Sequence, residues 1–533
     1  MCVRKALFCV LVLGLVSNSV GTGAAADSLD VGNRKQLFID HKFIDSKRDI
    51  DLVVNPPEKL PEAVLKCEHP WEAFRITYHS VAEDQGTYKM WYEAFDGDQW
   101  GGSAARMLYA TSTDGRNWVK PNLGLVEYKG STDNNILLDA YKLEYIFLDT
   151  NPDAPASERY KMLSGVGVTR MRTSADGIHW SAPGPVVWDY HWDTQKQAWW
   201  DQDLGKYVIQ TRGLIKNDTN NPEDLPFPFV DPIPNNPAVV DPNLYRAMRQ
   251  LVRVEADDIM QPWPVASART VMCGDELDPL RTDIYHPGGV YKYPYADDAY
   301  FMFPWPFDQN ARVLKVQFAA SRNGWNWMRY DRQVYIPLGA VGEYDDGSLL
   351  TLGPFFRDGD YLYQFYSTTP WTHDEFRNLS QEEQNNPANW GRAEYHLAKY
   401  RLDGFVSADA SAEGGTLETP TLMFDGQRLF LNIEVLQGGS ARVAIVDGDG
   451  SPLPGFTLDD CDVIQANDVA YEVRWNGDSN ISGLAGTPVG LLFEMSSTKL
   501  YAFQFMPEPC HATVKNVSWL ESGGDSSPPH RID

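Results

Sequence analysis

Basic side chains are scarce in this chain. Its 533 residues carry 46 Lys and Arg against 73 Asp and Glu, a formal net charge of −27. Nucleic acid and anionic membrane surfaces are held by clustered Lys and Arg, so neither is expected as the main partner. Cysteine is scarcer still: of six, Cys2 and Cys9 fall in the first 26 residues. Cys67, Cys273, Cys461 and Cys510 lie far apart, with no C-x-x-C pair and no zinc spacing. A Cys461–Cys510 bridge and buried free thiols both remain open. The sequence also lacks a Rossmann glycine pattern, a P-loop, a G-x-S-x-G elbow and an H-E-x-x-H helix, so no cofactor and no metal is expected. After residue 26 no stretch is apolar enough to span a bilayer.

What is abundant is hydrophobic and aromatic: 43% hydrophobic residues, with 17 Trp, 26 Tyr, 42 Gly and 35 Pro. That excludes wholesale disorder and supports a large core. Residues 1–26 read as a signal peptide, with Arg4 and Lys5 ahead of an apolar run from Ala6 to Val16 and an Ala24-Ala25-Ala26 cleavage site. The expected location is therefore outside the cytoplasm, periplasmic or extracellular.

Internal repetition organises the rest. Ser112-Thr113-Asp114-Gly115-Arg116-Asn117-Trp118 recurs as Ser174-Ala175-Asp176-Gly177-Ile178-His179-Trp180 and as Ser321-Arg322-Asn323-Gly324-Trp325-Asn326-Trp327. Degraded copies are Glu255 to Trp263 and Arg401-Leu402-Asp403-Gly404-Phe405. Asp-Gly or Asn-Gly between extended runs marks a hairpin, because these residues accept positive φ. Ahead of each copy, a polar turn feeds a tyrosine (88, 160, 207, 300 and 361) and then an apolar strand. A third apolar run flanked by acid precedes each tyrosine: Glu72–Val81, Tyr145–Asp149, Asp193–Trp200, Asp283–Tyr291 and Asp345–Phe356. Four antiparallel strands repeated radially describe a β-propeller blade. The sequence thus predicts an all-β chain, with a five-bladed β-propeller over residues 65–408 and the Asp-Gly-x-x-Trp motifs as turn and packing devices.

From about residue 409 alternating strands (Leu429–Val435, Ala441–Val446, Tyr471–Trp475, Val489–Glu494 and Leu500–Phe505) and an Asp447-Gly448-Asp449-Gly450 turn predict a C-terminal β-sandwich ending at 506. The tail 507–533 is expected to be disordered, and the proline-rich stretch 216–242 to be a loop over one face. In the N-terminal segment 27–64, Gln36-Leu37-Phe38-Ile39-Asp40 reads as a short strand that closes the ring or packs on the sandwich.

Inner strands of a propeller converge on a central funnel, which can hold carboxylates at the separations that glycosidic bond cleavage needs. Asp193, between Trp192 and an apolar run, is the first choice for proton donor, with Glu72 or Asp149 as its ionised partner. Asp283, Arg281, His286 and one acid of the 343–346 cluster (Glu343) are expected to bind substrate. Trp71, Trp192, Trp305 and His373 could add stacking or polar contacts. Each has a structural alternative: an Asx-turn for Asp149, an Arg281–Asp283 pair, a surface site for Glu72, a solvated turn for the acid cluster, and core packing for most tryptophans.

The order of leader, five-bladed propeller and sandwich, with blade turns of the type at 112–118 and 174–180, resembles the β-fructosidase-like superfamily, glycoside hydrolase families 32 and 43 and their relatives. The resemblance spans about residues 65–506. It implies a glycosidase acting on a poly- or oligosaccharide, with an acid on the inner strands of blades one, two and three. Those positions read Glu72 (in Pro70-Trp71-Glu72-Ala73-Phe74), Asp149 (in Leu148-Asp149-Thr150-Asn151-Pro152) and Asp193 (in His191-Trp192-Asp193). Two departures stand out: Glu72 replaces an Asp, and Asp193 replaces a Glu. The rival expectations are a non-catalytic glycan-binding propeller and a protein-interaction propeller.

Overall fold

The computed structural model of the chain describes residues 28–96, 105–139, 145–165, 168–189, 196–215, 248–264, 267–279, 282–308, 312–372, 375–391 and 393–507. The expected disordered tail, the 216–242 loop, the leader and Cys510 lie outside the described residues. Cys461 is a buried thiol whose Sγ donates to the Asp462 carbonyl.

Five antiparallel sheets follow one another along the chain. Blade one runs from inner to outer strand as Arg75–Asp84, Thr87–Phe95, Arg106–Ser112 and Ile136–Leu138. Blade two is Tyr145–Leu148, Tyr160–Ser164, Thr169–Ser174 and Val186–Trp188; blade three is Gln197–Asp201, Lys206–Ile215, Met248–Ala256 and Arg269–Met272. In blade four bulged segments split the strands into two stacked halves, Thr282–Ile284 with Pro306–Asp308 and Val313–Leu314, then Val290–Lys292 with Tyr300–Met302, Ala319–Ser321 and Met328–Arg329. Blade five has Ser348–Thr351 and Phe356–Asp358 as its inner strand, followed by Tyr361–Thr369 and Glu394–Arg401. Its outer edge is supplied from the N-terminal segment, as Glu58–Lys59 and Leu65–Lys66 pair with Glu394–Arg401. Ring closure therefore joins chain segments more than 300 residues apart in sequence, which leaves no open edge between blades five and one.

The repeated turns are built alike. Asp114 Oδ1 accepts from the backbone N–H of Arg116 and Asn117, and Ser112 Oγ accepts from Gly115 N–H. Asp176 with Ser174, and Asn323 with Ser321, repeat the pattern. Gly177 has φ +79°, and a Cβ there would lie 2.6 Å from the Trp91 ring. Trp91 Nε1 also donates to Gly177 O at 2.7 Å, so this turn docks blade two on blade one.

Three of the five recurrent tyrosines act one step further along the ring. Tyr160 of blade two donates to Asp84, the last residue of blade one's inner strand. Tyr207 of blade three donates to Asp149 just past blade two's inner strand, and Tyr300 of blade four to Asp201 at the end of blade three's. Burial alone would push Asp84 up, but the bonds from Tyr160 and Lys89 and the charges of Lys89 and Arg159 hold it below its ordinary range.

A second ring of contacts surrounds the axis. Ile146 N–H donates to Ser80 Oγ, Lys196 Nζ to Gly165 O, Val290 N–H to Gln197 Oε1, Thr351 Oγ1 to Gly288 O, and His79 Nε2 to Leu352 O at 3.1 Å. Together these bonds join blades 1–2, 2–3, 3–4, 4–5 and 5–1.

The sandwich takes strands from both ends of the chain. Ile50–Val54 pairs with Val406–Ala410, Ser46–Arg48 with Gly415–Glu418, and Gln36–Leu37 with Gly490–Met506. The runs read separately as 429–435 and 441–446 are one strand, Arg428–Val446, bulged between Val435 and Ser440 against Gly490–Met506. Of the two roles considered for Gln36-Leu37-Phe38-Ile39-Asp40, Gln36–Leu37 takes the sandwich, and the ring is instead closed through 58–66. The fifth, degraded Asp-Gly turn ties the two parts together: buried Asp403 accepts from Tyr293 Oη at 2.7 Å and from Lys35 Nζ at 2.8 Å.

His79 makes this ring acid-sensitive. Burial pushes its imidazole down to about 3 in spite of the bond to Leu352, from an ordinary 6.5. The folded state therefore binds fewer protons than the unfolded chain, so stability is full above pH 6.5 and falls as the pH drops from 6.5 toward 3. The expected slope from this group is at most about 1.4 kcal/mol per pH unit. Urea denaturation at pH 7.5, 6 and 5 should show that loss in the native chain and a shallower one in His79→Gln; equal slopes would contradict the assignment.

Candidate functional site

Every inner strand begins at the same end of the propeller, here called the entry end, and finishes at the other, the exit end. The two ends differ in chemistry. At the exit end lie the hydrogen-bonded turns and the tyrosine–aspartate latches. At the entry end charged and aromatic side chains gather on several blades. Residues 97–104, 140–144, 190–195, 216–247, 280–281, 309–311 and 373–374 are not described. Asp193, Trp192, Arg281 and His373 are therefore outside the described residues.

Blade one contributes an aromatic wall. Phe74 packs edge-on against Phe95 and Trp390, and Trp371 joins the same cluster. The Arg75 guanidinium lies 4.9 Å from the Phe95 ring centroid. Arg106 bridges Asp96 and Asp139, each at 2.9 Å, and faces the Tyr128 ring. Glu93, on the second strand opposite Thr77, is buried at 1% exposure. On blades three and four, Arg249 Nη1 reaches Asp283 Oδ2 at 2.5 Å. Arg249 and Arg212 both lie over the Tyr285 ring, at 4.6 and 5.4 Å from its centroid. A guanidinium beside a carboxylate favours its charged form, and flat rings beside such pairs suit a hydroxyl-rich ring that stacks on one face and hydrogen-bonds at its rim.

Several residues singled out from sequence have other work. Glu72 is at the entry end, but it is fully buried and saturated. It accepts from the backbone N–H of Glu68 and His69, from Tyr92 Oη at 2.5 Å and from Lys120 Nζ at 2.8 Å. A carboxylate spent on four donors is a cap for the turn Pro70–Glu72, not a free base. Asp149 is at the exit end, where Lys161 Nζ at 3.2 Å and Tyr207 hold it. It cannot share a bound molecule with groups at the entry end. In the acid cluster, Glu343 Oε2 caps Ala340 N–H and Asp346 caps Gly342 N–H, while Asp345 is buried against Lys59 at 2.6 Å. This is a structural turn. Trp305 has no exposed surface and donates to Thr351 Oγ1, so it is core and offers no stacking face. His286 is buried edge-on against Trp305 and Tyr285 on blade four's inner strand. Trp71 is half-buried, stacked on His69 and bonded through Nε1 to Asn135. Asp283 keeps its place at the entry end, although its described cationic partner is Arg249, from the third strand of blade three.

The basic partners Arg212, Arg249 and Arg106 were missed because attention went to inner strands alone. The signal was present: second strands end, and third strands begin, at the entry end, and Arg212, Arg249 and Arg106 occupy those positions.

No family model matches the chain, and no curated protein matches it either. Among solved structures it is similar to one titled "Glycoside hydrolase", at 15% identity and a TM-score of 0.41 over 65% of this chain and 92% of the other. It is also similar to the alpha-L-arabinofuranosidase PaAbf62A from Podospora anserina, at 11% identity and TM-score 0.40 over 64% and 96%. A third is an N-acetylgalactosamine deacetylase from F. plautii, at 13% identity and TM-score 0.40 over 66% and 96%. Likeness at this level assigns no activity.

If Glu72 is a cap, Glu72→Ala strands Lys120, Tyr92 and two backbone amides in a buried place. The expected loss of stability is about 3 kcal/mol or more, read by thermal or urea denaturation. A loss below about 1 kcal/mol would show that the acid is not needed for the fold.

Proposed function

We propose that this chain is a carbohydrate-active enzyme, a glycoside hydrolase that works at the entry end of the propeller. The observation that carries the reading is the separation of chemistry between the two ends. At the entry end carboxylates, guanidinia and aromatic rings form two groups: Asp96, Arg75 and Arg106 of blade one beside the rings of blade five, and Asp283, Arg212, Arg249 and Tyr285 across blades three and four. Asp193 is the proton donor in this proposal. By its place in the chain it lies in the connection that enters blade three, as Asp283 lies at the start of blade four's inner strand. Asp283, beside Arg249, is the ionised partner, replacing Glu72 and Asp149. The leader at residues 1–26 supports export, and N-terminal sequencing of the mature chain should find a start after Ala26.

A second reading has a specific observation in its favour. The described candidate acids Glu72, Asp149 and Asp283 each contact a cation, Lys120, Lys161 and Arg249, while Glu343 caps a turn. A propeller whose acids are held in this way binds glycans without cleaving them.

One experiment separates the two. The purified chain is incubated with polysaccharides and aryl glycosides, and new reducing ends and products are analysed. Hydrolysis is expected, and Asp193→Asn and Asp283→Asn should each lower turnover by about 10²-fold or more without changing the circular dichroism spectrum. Binding with no product would establish the second reading. Full turnover in both variants would remove these two acids from the mechanism.

A further inference from the structure

Eleven described residues other than glycine have positive φ, and nine of them sit in turns or bends. The two inside strands are Ser497, in the long sandwich strand, and Tyr78. Tyr78 has φ +38°, a conformation that crowds the Cβ of any bulky residue and that glycine or asparagine would adopt far more easily. It is also the extra residue of a β-bulge. Thr77 pairs with Glu93 and His79 with Tyr92, so Tyr78 is the residue inserted between two consecutive pairs.

Two of the five inner strands form without either feature. Blade two's inner strand pairs with its neighbour without a bulge, from Tyr145↔Leu163 to Leu148↔Tyr160, and so does blade three's, from Gln197↔Gln210 to Asp201↔Lys206. A bulge turns a side chain away from the direction that strict alternation would give it, and strained backbone persists where something else over-determines it. Here the strand in question is the innermost of blade one, near its entry end. Residues 79–84 that follow are all buried, yet Tyr78 keeps part of its surface accessible. An inner-strand side chain near this end can meet solvent along the propeller axis or at the entry face. The Tyr78 ring packs against the aromatic core between blades four and five, a core to which its own blade does not belong. Tyr291 of blade four and Leu350 of blade five are likewise half-buried inner-strand side chains on that core.

We propose that Tyr78 is a substrate-contact residue of the funnel wall, an aromatic face set by the bulge to stack on a sugar ring. The inference rests on the carbohydrate reading above and adds to it a named stacking position that sequence patterning alone did not single out. The strain is then explained as the cost of aiming an aromatic ring at the funnel from a strand whose alternation would have buried it.

The test uses the full chain with Tyr78→Asn, which accepts the backbone conformation but removes the ring, and Tyr78→Phe, which keeps the ring. Affinity is measured by electrophoresis through gels containing xylan, arabinan, levan, β-mannan or polygalacturonan. Fold is followed by circular dichroism and thermal midpoint, and KM and kcat are separated on any substrate that is cleaved. The expected result is that Tyr78→Phe stays within about twofold of the native chain. Tyr78→Asn should keep its midpoint within a few degrees while affinity falls, or KM rises, at least tenfold. If the native chain is retarded and Tyr78→Asn is retarded equally, the inference fails and the carbohydrate reading stands. If the native chain engages none of the five polysaccharides, both fail for these substrates. If Tyr78→Asn and Tyr78→Phe both unfold, the bulge serves the fold and the inference is overturned.

Discussion

The structure depends on closing the ring. Five inner strands surround one axis, and near it a hydrogen bond crosses each of the five seams, from Ile146–Ser80 round to His79–Leu352. Individually such bonds contribute little beyond avoiding a buried unsatisfied group. Their effect comes from geometry, because a closed ring cannot lose one contact without opening a seam. The seam between blades five and one is the critical one, since Glu58–Lys59 and Leu65–Lys66 complete blade five from the far end of the chain. His79 sits at that same seam, which is why acid acts on the closure and not on a peripheral loop.

Closure also sorts the chemistry. The exit end is occupied by contacts that hold blades together: the Ser-x-Asp-Gly turns, and the tyrosines that reach back to the final acid of the preceding inner strand. Each of those acids is caught between blades and unavailable for anything else. The entry end is left to the longer connections and to charged side chains at strand starts and finishes. Part of the latching there is ionic, as Arg249–Asp283 spans blades three and four. A site built on such pairs is rigid before a ligand arrives.

Much of this was legible in the sequence. The turn motifs announced blade number and order because Ser, Asp and Gly each satisfy a local backbone requirement that recurs wherever the turn recurs. The tyrosines were legible as a repeat, but not as latches, since their partners lie 76, 58 and 99 positions away on another blade. The site was less legible for a related reason. An acid that precedes an inner strand and one that follows it look alike in a linear motif, yet they stand at opposite ends of the propeller. Glu72 and Asp149 were alternatives for one role on that basis, and the fold puts them at opposite ends. Trp305 and the 343–346 acids could not be assigned from sequence because burial and capping depend on what the neighbouring blade brings. The sandwich strands were read as shorter pieces because Gln437, Gly438 and Gly439 look like a turn, where the chain instead bulges and continues.

The proposed function puts carbohydrate at the entry end. Hydrogen–deuterium exchange with and without a saturating polysaccharide identified by binding tests it most directly. The account predicts slower exchange confined to amides around 74–79, 211–213, 249–251 and 282–286, with the turns at 112–118, 174–180 and 321–327 unchanged. Protection at those turns, with the inner-strand starts unaffected, would place the ligand on the opposite end and contradict it.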